Sequence, residues 1–107
     1  MKLNDIPALR HTHYPSYSTQ RVVIFPNGYG LSIITGINAY SDKNHPYEIA
    51  VIKTKEEVKE TLINPKCDFE IDYEYTDGDV VGYLTEDGVN KWLDKVEHLK
   101  KGSNGCY

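Results

Sequence analysis

The chain has 107 residues, of which 39% are hydrophobic and 26% are charged, a balance typical of one globular domain rather than of a disordered chain. Its formal net charge of −4 argues against broad nucleic-acid binding, because phosphate contacts need clustered cations. No apolar run approaches the roughly 20 residues that a membrane-spanning helix needs, and no N-terminal stretch has the pattern of a secretory signal. We therefore expect a protein that binds neither nucleic acid nor membrane directly.

The cysteine content indicates a compartment. The two cysteines, Cys67 and Cys106, are too few for a metal or disulfide framework and fit free thiols in a reducing cytosol. A single bridge between them is the alternative. We expect a cytoplasmic protein with an irregular N-terminal arm over residues 1–19, a single domain over 20–102 and a flexible tail over 103–107. Pro7, Pro15, Ser16 and Ser18 interrupt the first segment, and the tail is rich in Gly, Ser and Asn.

The first two strands are predicted from short β-branched and aromatic runs at residues 21–25 and 31–35. Between them stands Asn27-Gly28, the dipeptide most typical of a two-residue type I′ hairpin turn. Such a turn would place Ile24 opposite Leu31. Residues 47–53 alternate between two faces and predict a third strand.

A short helix is predicted between strands 3 and 4. Thr54 and Glu57 fit a capping box, and Val58, Leu62 and Ile63 supply an apolar stripe. Residues 67–76 then alternate between apolar and acidic side chains, which predicts a fourth strand that is half-buried.

The last elements are a hairpin and a helix. Asp77-Gly78 predicts a tight turn into a fifth strand over residues 80–84. Thr85 is placed to cap an amphipathic helix, whose apolar stripe comprises Val89, Trp92, Leu93, Val96 and Leu99. The predicted fold class is α+β, with a small antiparallel or mixed sheet of about five strands, the C-terminal helix on one face and the short helix between strands 3 and 4.

Four segments in this order resemble a group of small proteins of tailed bacteriophages and prophages. They are residues 25–30 (FPNGYG), 47–51 (YEIAV), 78–85 (GDVVGYLT) and the helix around Trp92. The resemblance implies a phage gene product that works in the host cytoplasm and disables a host or defence component. It implies no catalytic residues.

The residues predicted to contact a partner are acidic and aromatic. The acids lie along the fourth strand and its turn, and the tyrosines lie in or beside predicted loops: Asp68, Glu70, Asp72, Glu74, Asp77, Asp79, Tyr29, Tyr40 and Tyr47. Alternate strand residues are about 6.6–6.8 Å apart, so the acids could imitate a phosphate backbone and occupy the cationic groove of a host nucleic-acid-binding protein. The alternative is a solvated face that keeps an edge strand from aggregating.

No catalytic arrangement stands out, since the chain has neither a nucleophile elbow nor a conspicuous Cys–His pair. We therefore predict a non-enzymatic binding protein without a cofactor, with a host protein as partner and possible homo-oligomers. One alternative is a protein that sequesters a nucleotide-like ligand on its aromatic residues. The other is a small metal-dependent enzyme using His11, His13, Glu48 or the acidic strand.

Overall fold

A computed structural model describes residues 1–10, 19–36 and 41–100. The strands are β1 (Leu9–Arg10), β2 (Thr19–Ile24), β3 (Tyr29–Thr35), β4 (Tyr47–Lys53), β5 (Leu62–Ile63), β6 (Glu70–Ile71) and β7 (Val81–Leu84); a 3-10 turn (Leu3–Asp5) precedes them and helix α1 (Glu86–Glu97) follows. The strands described form one antiparallel sheet in the order β1-β2-β3-β4-β6, with β5 beside β2 and β7 beside β4. The predicted α+β class is confirmed.

The central strands β2, β3 and β4 separate two cores because their side chains alternate between the faces of the sheet. On one face, helix α1 covers a cluster that includes Val23, Leu31 and Val51. A smaller cluster on the other face consists of Val22, Ile24, Ile52 and Val58. The prediction that the C-terminal helix packs on one face is confirmed, and Thr85 caps it by accepting a hydrogen bond from the amide of Gly88 at 3.2 Å.

The turn between β2 and β3 differs from the predicted type I′ turn. The amide of Gly28 donates to the carbonyl of Phe25 at 2.9 Å, and Gly28 has a φ of 86°, as in a type I turn followed by a left-handed residue. Pro26 favours this geometry because its ring fixes φ near the value that the first central position needs. The pairing is therefore shifted by one residue, with Ile24 opposite Gly30 rather than Leu31.

The predicted helix between strands 3 and 4 is wrong, since residues 54–61 are not helical. Two helical turns are marginal without supporting contacts, and here the long-range contacts favour a different structure. Leu62 and Ile63 pair with β2 as strand β5. Val58 is buried in the second core.

The two outer strands of the central three, β2 and β4, each pair with two short strands. β1 and β5 both pair with β2, while β6 and β7 both pair with β4. Asp77 and Gly78 do adopt positive φ values of 55° and 83°, as a tight turn requires. The predicted hairpin is nevertheless absent from the residues described, because β6 and β7 pair with β4 and not with each other.

Residues 1–10 contribute to the core. Leu3 and Ile6 are 0% and 1% exposed and belong to the cluster under α1. The amide of Leu3 donates to the side chain of Asn90 on α1 at 2.8 Å.

The predicted division into arm, domain and tail stays a prediction, and the tail over 103–107 lies outside the described residues. Within the described part of the chain, no helix is long and apolar enough to cross a membrane.

Candidate protein-binding edge at strand β6

Five of the six predicted acids are exposed. Residues 68–79, which we call the acidic segment, carry Asp68, Glu70, Glu74, Asp77 and Asp79 on the surface. Only two residues of the segment form the strand β6, so the predicted strand over 67–76 is much shorter than its alternation suggests. The acids therefore do not form one straight stripe along a strand.

Asp72 is the exception, since its side chain is only 6% exposed. Its Oδ1 accepts a hydrogen bond from the amide of Glu74 at 2.9 Å, and its Oδ2 lies 3.6 Å from Nζ of Lys53. A buried carboxylate needs such partners because desolvation of an unpaired charge is costly. The prediction that Asp72 contacts a partner is corrected: Asp72 supports the acidic segment from within.

Tyr29 is also removed from the predicted contact surface, since it is 3% exposed and part of the main core. Its ring meets that of Tyr75 edge to face at a centroid distance of 5.8 Å. Burial, with a hydrogen bond and electrostatic interaction between the two phenols, raises the pKa of Tyr75 to about 12. Tyr47 is half-buried against the same core, and Tyr40 lies outside the described residues.

The acidic segment exposes apolar side chains that the sequence pattern assigned to the core. Phe69, Ile71 and Tyr73, which we call the apolar strip, are 38%, 43% and 45% exposed. Ile71 pairs with Ile52 of β4, whose side chain lies on the face opposite α1. The alternation correctly separated apolar from acidic residues, but it could not show that neither side is fully covered at this edge.

Tyr83 is a further exposed aromatic that sequence reasoning missed. It is 55% exposed and has a φ of 56°, a left-handed conformation that is rare for an aromatic residue. The pairing of β7 with β4 shifts register between Tyr47 and Ile49. Such an irregularity turns a side chain away from its regular direction, and no local sequence signal marks it.

An open cleft of about 490 Å³ adjoins the apolar strip. It is lined by Lys53, Thr54, Lys55, Glu56, Asp68, Phe69 and Glu70. The Thr54 hydroxyl donates to the carbonyl of Asp68 at 2.8 Å, and Oε2 of Glu56 accepts from the amide of Asp68 at 3.1 Å. These two bonds hold the start of the acidic segment against the loop that follows β4.

The residues considered for a metal site are not brought together in the part of the chain that the structure describes. Within that part, no group of three or more His, Cys, Asp or Glu side chains is arranged to hold a metal ion. His11 and His13 lie outside the described residues, and Glu48 is 8% exposed near the start of β4. The predicted absence of a cofactor stays a prediction.

Cys67, a free thiol, is half-buried beside the second core. Burial and the nearby Glu56 carboxylate raise the pKa of this thiol, which lowers its thiolate fraction and hence its reactivity. Cys106 lies outside the described residues.

Comparisons with protein-family models, curated proteins and solved structures gave no match for this chain.

Proposed function

We propose that this protein is a non-enzymatic binding protein of phage origin that works in the host cytoplasm. It contacts and inhibits a host protein, such as a component of host defence, through the exposed side chains of the acidic segment. The corrected contact set omits Asp72 and Tyr29. It retains the exposed acids together with the predicted Tyr40 and Tyr47, and adds the apolar strip.

One observation carries this proposal. Phe69, Ile71 and Tyr73 are each more than one-third exposed, in a segment that also exposes Asp68 and Glu70. Large apolar side chains that cluster on a surface with a polar rim are typical of protein interaction sites. The polar rim also keeps the free protein from associating through its apolar surface.

The experiment is quantitative affinity capture from host lysate. A variant with Asp68→Lys and Glu70→Lys is compared with a control that carries Glu57→Lys and Glu60→Lys, because all four residues are exposed and both pairs change the net charge equally. We expect one saturable protein partner with the wild type and the control, and its loss with the first variant. Capture of no saturable partner, or equal capture by both variants, would contradict the proposal.

The cleft beside β6 favours a second candidate, a protein that sequesters a nucleotide-like ligand. Lys53, Lys55 and Phe69 line the cleft; Lys53 is paired with Asp72, so the ammonium group of Lys55 and the ring of Phe69 are the groups available for a phosphate and a base. A ligand that binds only the folded state raises its thermal stability. In a screen of nucleoside triphosphates, at least one is therefore expected to raise the melting temperature of the wild type but not that of a Phe69→Ala variant. If none of them changes the melting temperature of the wild type, this candidate function is ruled out.

A further inference from the structure

We propose, on the basis of the proposed function, that the partner binds by strand addition. It supplies an extended segment of alternating basic and apolar residues, which pairs with the outer edge of β6.

Among the described residues, only one side of the β6 backbone is paired with another strand. The amide of Asp72 donates to the carbonyl of Val51 on β4 at 2.8 Å. Because backbone groups of successive strand residues point in opposite directions within the sheet, the N–H and C=O of Ile71 point away from β4. No strand among the described residues pairs with this side of β6. An edge of this kind accepts an added strand through main-chain hydrogen bonds.

The side chains around this edge supply specificity. An added strand presents alternate residues to the two faces of the sheet. On the face opposite α1, its apolar residues would extend the contact surface of Phe69 and Ile71, which are 38% and 43% exposed. Its basic residues would lie near the exposed carboxylates of Asp68, Glu70 and Glu74.

Charge complementarity selects the occupant. A second copy of this chain would bring another set of carboxylates against the same edge, and like charges on facing strands are destabilising. Inward-lying or flanking charge is also a common way to prevent self-association of sheet edges. A basic strand removes this repulsion, so the edge rejects a second copy and accepts a cationic partner.

The test uses an eight-residue probe of alternating Lys and Val, titrated into the full chain by fluorescence anisotropy. One matched peptide replaces Lys by Glu, and another carries an N-methyl group on every amide, so that it has no backbone N–H to donate to β6. We expect only the Lys-Val peptide to bind, with an affinity that falls as salt rises. In NMR hydrogen exchange, the Ile71 amide should become protected when this peptide binds.

An Ile71→Pro variant removes the outward N–H and leaves the bonds from β6 to β4 in place, since proline is tolerated where an edge N–H faces solvent. Ile71→Ala is its control, because it shortens the side chain and retains the N–H. We expect the proline variant to bind the Lys-Val peptide roughly tenfold more weakly than the alanine variant does, on the ordinary value of a hydrogen bond. If the proline variant does not fold, the N-methylated peptide tests the reciprocal bond on the wild type, from the peptide N–H to the carbonyl of Ile71.

Strand addition is overturned if the N-methylated or Glu-Val peptide binds as well as the Lys-Val peptide, or if the Lys-Val peptide does not bind. It is also overturned if the chain forms dimers through Ile71. The proposed function would survive these results as long as lysate capture still depends on Asp68 and Glu70. Loss of that capture dependence, with peptide binding intact, would instead remove the proposed contact to a host protein.

Discussion

The side-chain amide nitrogen of Asn27 lies 2.8 Å from the carbonyl oxygen of Val96 and 3.0 Å from that of Leu99. Its Oδ1 accepts a hydrogen bond from the amide of Tyr29 at 2.9 Å. One side chain in the turn between β2 and β3 therefore donates to carbonyls at and just beyond the C-terminal end of α1, where the regular helical hydrogen bonds end. This links the turn to the helix across the main core.

Replacing Asn27 is expected to destabilise the fold. Asn27→Ala removes the donor from both carbonyls, which should lower the free energy of unfolding by about 1–3 kcal/mol. Asn27→Asp should cost at least as much, because a carboxylate at a helix C-terminus opposes the helix dipole. Urea denaturation measures the change, with the exposed Asn44→Ala as the control. Equal stability of all three variants would contradict the link.

Gly30 is expected to tolerate no side chain. A Cβ at this position would lie 1.8 Å from the carbonyl oxygen of Val23 in β2, so the ladder between β2 and β3 would have to move. We expect Gly30→Ala to cost about 3 kcal/mol or more. Gly78→Ala has open space but a positive φ and should cost about 1 kcal/mol. Thermal melts that rank the two variants in the opposite order would refute this packing.

Asp72 and Asp68 are expected to behave differently although both are acidic. Asp72→Ala leaves the amide of Glu74 and the ammonium of Lys53 without their partner and should cost about 1–3 kcal/mol. Asp68→Ala removes an exposed carboxylate and should change the free energy of unfolding by less than about 0.5 kcal/mol. Urea denaturation of the two variants separates the roles; a neutral Asp72→Ala would mean that Asp72 is not structural.

Deprotonation of the Tyr75 phenol is expected to destabilise the folded state in alkaline solution. Its pKa is raised from the usual 10 to about 12, so the folded state favours the neutral phenol. The stabilisation is complete below pH 10 and is lost as the pH rises towards 12, because the unfolded chain releases this proton first. Melting temperatures between pH 9 and 12 should fall more steeply for the wild type than for Tyr75→Phe. Parallel curves would contradict the assignment.

The sequence was sufficient to predict the central strands and the C-terminal helix, because their periodicity directly reflects which side chains are buried. It did not predict the pairing of Ile24 with Gly30, since Asn27-Gly28 alone favours a two-residue turn and the effect of Pro26 on turn type decides the register. Leu62 and Ile63 joined the sheet because pairing with β2 outweighs a marginal local helix.

The sequence pattern separates the acidic from the apolar residues of the acidic segment, but it does not predict which of them are buried. A period of two separates the two sides of a strand but does not show which side is covered at the edge of a sheet. The burial of Asp72 depends on Lys53, a residue of another strand. The exposure of Ile71 likewise depends on the position of β6 at the end of the sheet, which is a property of the topology and not of the local pattern.

The most direct test of the proposed binding site is hydrogen–deuterium exchange of the chain, alone and in complex with the protein captured from host lysate. We expect binding to slow exchange chiefly in residues 68–79, with the Ile71 amide among the protected sites. Slowed exchange confined to the exposed side of α1 or to residues 41–46, with no change in 68–79, would contradict it.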